Sequence, residues 1–149
     1  MHIPDGFINI PTAAGFGAAS AGGVFYAIRR AAALLDDRRL PLAGLVAAFV
    51  FAAQMVNFPV VAGTSGHLIG GVLAAVLVGP WLGTLALTVV LVVQGVFFAD
   101  GGLSALGLNL FNMAIVGTMG GYLVYRGILA LLPKTRPFVL AAAGTAAGI

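Results

Sequence analysis

Residues 81–99 read WLGTLALTVVLVVQGVFFA, an apolar run with no charged side chain, and the fold follows from how this stretch is read. A membrane-spanning helix needs about 20 mostly apolar residues. Working outward, comparable runs lie at Thr12–Ile28, Leu40–Val56, His67–Val78, Leu103–Tyr125 and Pro137–Ile149. The gaps between them carry helix-ending residues. Arg29-Arg30 and Asp36-Asp37-Arg38-Arg39-Leu40-Pro41 follow the first run, and Asn57-Phe58-Pro59 ends the second. Gly79-Pro80, Asp100-Gly101-Gly102 and Pro133-Lys134-Thr135-Arg136-Pro137 mark the remaining breaks.

Composition points the same way. Of 149 residues, 61% are hydrophobic and 7% charged, whereas soluble domains carry about 25% charged residues. So much apolar surface suits a bilayer, where lipid replaces a missing core. The expectation is an all-α integral membrane protein: one domain over residues 1–149, a polytopic helical bundle of about six transmembrane segments. There is no cysteine, which excludes disulfides and thiolate metal sites. No Lys or Arg precedes Arg29, so the positive start of a signal peptide is missing.

The net charge of +3 is a topology signal and forms no nucleic-acid groove. If the runs cross alternately, Arg29, Arg30, Arg38, Arg39, Arg126, Lys134 and Arg136 all fall on one side. That side is cytoplasmic. The other side holds the N-terminus, His2, Asp5, Asn57, His67 and Asp100 with no Lys or Arg. The chain is expected in the cell inner or plasma membrane, with its N-terminus outside.

Small residues crowd two runs: Gly15, Gly17, Ala18, Ala21 and Gly22, then Ala43, Gly44, Ala47, Ala48 and Ala52. They let helix backbones approach closely in lipid. Packing within the bundle is the plainer reading. Ala43, Ala47, Ala48 and Ala52 are the candidate surface for docking another membrane subunit.

Chemistry concentrates at Met1-His2-Ile3-Pro4-Asp5-Gly6. A free terminal amine, the residue 2 amide nitrogen and the His2 imidazole can close on one ion as two fused chelate rings. The alternative is an accidental polar residue at a frayed end, against which stand the turn-forming Pro4-Asp5-Gly6 and the apolar Ile3, Phe7 and Ile8. A bulky second residue favours retention of Met1. His67 follows Gly63-Thr64-Ser65-Gly66, where Thr64 or Ser65 is expected to cap a helix and place His67 in its first turn. An interfacial histidine satisfied by its neighbours is the competing reading.

An all-nitrogen, in-plane donor set suits Ni²⁺, Cu²⁺ or low-spin Co²⁺ better than Zn²⁺, Mg²⁺ or Ca²⁺. Gln54 and Asn57 share a helical face one turn apart and are candidates for orienting the histidines. Gln94, and Asn109 with Asn112, are read as interhelical hydrogen-bonding groups, and Asp5 and Asp100 as solvated loop residues. No nucleotide fingerprint, paired catalytic carboxylates or nucleophile triad is present, so the chain is expected to be non-catalytic.

The start Met-His-Ile-Pro-Asp-Gly-Phe, Asn57-Phe58-Pro59-Val60, Gly63–Gly71, Gly79-Pro80-Trp81 and Asp100–Gly107 with Asn109 and Phe111-Asn112-Met113 resemble the CbiM/NikM family. Its members are substrate-binding membrane subunits of energy-coupling-factor cobalt and nickel importers. The resemblance runs from Met1 to about Gly121. It implies an ion held by the Met1 amine, the His2 amide and imidazole nitrogens and the His67 imidazole, as transported substrate for cobalamin biosynthesis or nickel supply. It further implies a transmembrane coupling subunit of the CbiQ/NikQ type, ATPases of the CbiO/NikO type and a small CbiN/NikN-type accessory protein. Family members continue through further helices, whereas this sequence stops at Ile149 in mid-run, so it is expected to be incomplete. Two rivals stand beside this reading. A self-sufficient channel or secondary transporter would need a charged path, and the runs offer only amides at mid-depth. A ligand-free structural subunit would leave the opening hexapeptide without a role.

Overall fold

The structure, a computed structural model, describes residues 2–59 and 65–131. Its helices are α1 (Ile10–Ala32), α2 (Arg39–Met55), α3 (Gly71–Val78), α4 (Pro80–Phe97) and α5 (Leu106–Leu131). Between α2 and α3, β1 (Phe58–Pro59) pairs antiparallel with β2 (Ser65–Gly66), Phe58 opposite Gly66. The chain is therefore mostly helical.

Local chemistry sets the helix ends. The Asn9 side-chain oxygen accepts the Thr12 amide at 2.9 Å, and Pro11 sits in the first turn, where a missing N–H costs nothing. Arg29 and Arg30 close α1 at the negative end of its dipole. Arg30 also lies 5.6 Å from the ring centres of Tyr26 and Trp81, joining α1 to the first turn of α4. Gly79 separates α3 from α4 with φ +87°, and Pro80 opens α4.

α4 is the centre of the packing. Leu82, Leu87, Val90 and Leu91 meet Val46 and Val50 of α2, Ala74 and Val78 of α3, and Met113 and Ala114 of α5. Glycine permits the closest contacts: a Cβ on Gly83 would lie 2.9 Å from the Ala75 nitrogen, and one on Gly71 2.8 Å from the Gly117 carbonyl carbon. Close backbone approach of this kind holds helices together in lipid, where apolar burial gives no net drive. α4 and α5 are long and apolar enough to cross a membrane, and α2 is a shorter apolar helix. Phe25, Leu45, Phe49, Val89 and Leu123 are exposed, an arrangement that water penalises and lipid does not.

Several expectations need correction. The run 67–78 is helical only from Gly71, so His67 precedes its helix, and a left-handed Gly70 occupies the cap position. The reason is steric: the chain turns sharply against α2, where a Cβ on Gly70 would lie 2.6 Å from a Val50 methyl. α2 ends at Met55, so Gln54 and Asn57 do not share a helical face; Gln54 is buried and Asn57 exposed. Asn109 and Asn112 also diverge. The turns from Leu110 to Gly120 are π-helical, and the wider winding rotates Asn112 outward while Asn109 stays buried. The proposed alanine face is split, with Ala43 and Ala47 packed against the core and Ala48 and Ala52 exposed. The run Pro137–Ile149 lies outside the described residues.

Candidate metal centre

The N-terminal segment folds back as a hook onto the loop between α4 and α5. Ile3 is held on both sides of its peptide. Its amide donates to Asn109 Oδ1 at 2.9 Å, and its carbonyl accepts from Asn109 Nδ2 at 3.1 Å and from the Gly102 amide at 2.9 Å. Two residues on, Asp5 Oδ1 accepts the Ser104 hydroxyl at 2.6 Å and the Ser104 amide at 2.8 Å. These bonds hold the Asp5 carboxyl below the usual carboxylate range, the hydroxyl bond most.

Glycine makes this docking possible. A Cβ on Gly101 would lie 2.8 Å from His2 Cβ, and one on Gly102 would lie 2.6 Å from both the Pro4 carbonyl carbon and Asp5 Oδ1. Gly101 also has φ +97°, a conformation side chains disfavour.

The hook carries His2 onto His67. Their ring centres are 5.1 Å apart and the planes 23° from parallel. His67 Nδ1 donates to the Leu68 carbonyl at 2.9 Å. A carbonyl only accepts, so the proton is on Nδ1 and Nε2 carries the lone pair. His2 Nδ1 is 2.9 Å from Asp100 Oδ1, which by the same reasoning leaves the lone pair on His2 Nε2. Both Nε2 atoms are buried without a hydrogen-bond partner among the described residues. An unsatisfied buried acceptor costs about 1–3 kcal/mol, so the stacked rings are left short of partners. Burial pushes the His2 pKa below the ordinary imidazole value, against the opposing pull of Asp100. The ring is thus kept neutral, the form a metal needs.

Of the residues singled out from sequence, the structure brings His2 and His67 together. Met1 and Thr64 lie outside the described residues. Gln54 supports the segment after His67 indirectly, its Nε2 donating to the Ile69 carbonyl at 2.7 Å. Asn57 is exposed and has no such contact among the described residues. The sequence alone suggests a solvated loop acid at Asp100 and an interhelical amide at Asn109. Asp100 instead contacts His2, and Asn109 holds the hook, because the two glycines after Asp100 admit the hook's backbone. The signal for Asp100 was available, since charge counting had put it on the same side as His2 and His67. Gln94 is fully buried, and neither of its side-chain polar atoms has a partner among the described residues, leaving a polar spot in the bundle.

Among the described residues no cluster of three or more His, Cys, Asp or Glu side chains is placed to hold a metal.

These features define a class, an apolar helical bundle with membrane-length helices whose N-terminal hook seats one histidine against another. The chain belongs to the family of the cobalt uptake substrate-specific transmembrane region, whose description matches residues 2–149. It is 40% identical over 153 residues to the fused nickel transport protein NikMN of Rhodobacter capsulatus, covering all of this chain and 44% of that one. It is 40% identical over 134 residues to the cobalt transport protein CbiM of Geobacter sulfurreducens, covering 88% of this chain and 39% of the relative. The crystal structure of a truncated transition metal transporter superposes with a TM-score of 0.87 at 37% identity, covering 99% of this chain and 68% of that one. The chain spans about half the length of the curated relatives it matches.

Proposed function

We propose that the chain captures Co²⁺ or Ni²⁺ as the substrate-binding part of an energy-coupling-factor importer. The observation that carries this is the stacking of the His2 ring on the His67 ring by the hook, with His67 Nε2 buried and without a hydrogen-bond partner among the described residues. His67 Nε2, the His2 imidazole, the residue 2 amide and the Met1 amine would form the donor set. Four nitrogens in one plane suit Ni²⁺ and Co²⁺, the metals named for its relatives. The amine and the amide each lose a proton on binding, so acid weakens capture.

In this reading the bundle spans the membrane with its hook on the outer face, in keeping with the one-sided placement of Arg29, Arg30, Arg38, Arg39 and Arg126. About six segments form one domain over residues 1–149. ATP hydrolysis belongs to separate ATPase subunits, reached through a transmembrane coupling subunit and joined by a small accessory protein. Ala48 and Ala52, the exposed half of the alanine set, remain the candidate docking positions.

Calorimetric titration of detergent-purified protein beginning at Met1 tests capture. Tight binding of Ni²⁺ or Co²⁺ is expected, and its absence sinks the reading. Competition between the two ions on the same protein identifies the preferred cargo.

A further inference from the structure

We propose that Asp100 is a latch on the empty site: it holds the one His2 nitrogen that a chelate must use, so an ion enters by displacing it. The inference rests on the capture reading above. A ring closed from the residue 2 amide nitrogen through Cα, Cβ and Cγ reaches the ion at Nδ1. Nε2 lies on the far side of the imidazole and cannot meet the same ion. In the structure Nδ1 is already engaged, 2.9 Å from Asp100 Oδ1, with the His2 side chain only 3% exposed. The proton is therefore on the nitrogen that must bind, and the lone pair is on Nε2, which has no partner among the described residues.

The two histidines are consequently unequal. His67 spends Nδ1 on the Leu68 carbonyl and presents Nε2 without rearrangement. His2 must turn its ring from Asp100 and move its single proton from Nδ1 to Nε2. The imidazole stays neutral, and its proton count is unchanged.

The latch is firmly backed. The Asp100 amide donates to the Gln94 carbonyl at 3.1 Å, anchoring the residue to the end of α4. Gly101 gives His2 Cβ its place against the loop. Asp100 Oδ2 is buried without a partner, so the bond to His2 is the carboxylate's one side-chain hydrogen bond among the described residues. Without cargo the latch keeps the hook seated, and during loading and release it sets a barrier.

The test uses protein with ¹⁵N-labelled histidine, followed by long-range ¹H–¹⁵N NMR before and after Ni²⁺. In-plane nitrogen coordination leaves Ni²⁺ diamagnetic, so the ring signals persist. Unloaded protein should show His2 protonated at Nδ1, and loaded protein should show it protonated at Nε2 with Nδ1 on the ion. In stopped-flow mixing, Asp100→Ala should raise the Ni²⁺ association rate by about tenfold, as expected for loss of one charge-assisted hydrogen bond. Loaded wild-type protein that keeps its Nδ1 proton overturns the latch and leaves capture standing, as does unchanged or slower association in the variant. Failure of wild-type protein to bind Ni²⁺ at all overturns both.

Discussion

Asn109→Ala tests whether the site is built by docking the hook. Asn109 is 4% exposed, and its two side-chain atoms bond the amide and the carbonyl of Ile3. Each bond is worth about 0.5–1.5 kcal/mol net, and the two together about 1–3 kcal/mol. The halves differ. The Ile3 carbonyl keeps the Gly102 amide, whereas the Ile3 amide loses its partner. The loss should fall near the middle of that range. If metal binds only the docked hook, this appears as a fall in Ni²⁺ affinity of about tenfold, at 1.4 kcal/mol per decade. Asn109→Asp should be as damaging or worse, because an oxygen would then face the Ile3 carbonyl. Titration calorimetry measures the affinity, and circular dichroism of the unloaded variants checks that the helices persist. Wild-type affinity in both variants would refute the claim that Asn109 positions the hook.

Three further outcomes follow from the same geometry. A residue added before Met1, or acetylation of its amine, should abolish Ni²⁺ binding, and a tagged protein that binds equally well would remove the amine from the donor set. Gly102→Ala should cost more than Asn109→Ala, because the new Cβ overlaps the Asp5 amide and the Pro4 carbonyl carbon; faster deuterium uptake in residues 2–6 is the readout, and unchanged uptake would contradict it. The lowered His2 pKa sets a sign for unloaded protein: as pH falls below the ordinary imidazole value of about 6.5, the unfolded chain takes the proton first, so stability declines. The lowered Asp5 pKa acts in the same direction at lower pH, its contribution lost as the carboxyl protonates. Thermal unfolding between pH 7.5 and 5.5 should show a steeper decline in wild type than in His2→Ala, and equal slopes would exclude the His2 contribution.

Much of the helical layout was readable from composition. Apolar runs and their Gly, Pro and charged breaks located all five described helices, although α5 runs on to Leu131 beyond the expected Tyr125 and the segment near His67 departs from its expected start. There the expectation of a helix start at Thr64 or Ser65 failed, because propensity does not register the sharp turn that Gly70 makes against Val50. The faces expected for Gln54 with Asn57, and for Asn109 with Asn112, assumed regular α-helix throughout. A helix end at Met55 and π-helical winding after Leu110 broke that assumption.

The sequence by itself determined that this is an apolar helical protein whose polar chemistry collects at one end. Hydrophobicity and charge act residue by residue, and a bilayer sorts them with little regard to partners. It also marked His2 and His67 as the residues to watch. Only the tertiary structure decided how they meet: the hook's bonds to Asn109, Gly102 and Ser104 join residues about a hundred positions apart. Such pairings depend on which backbone atoms a missing Cβ allows to approach. For the same reason Asp100 passed from a loop acid to the group that holds His2, a role its place in the sequence hinted at and only contact could assign.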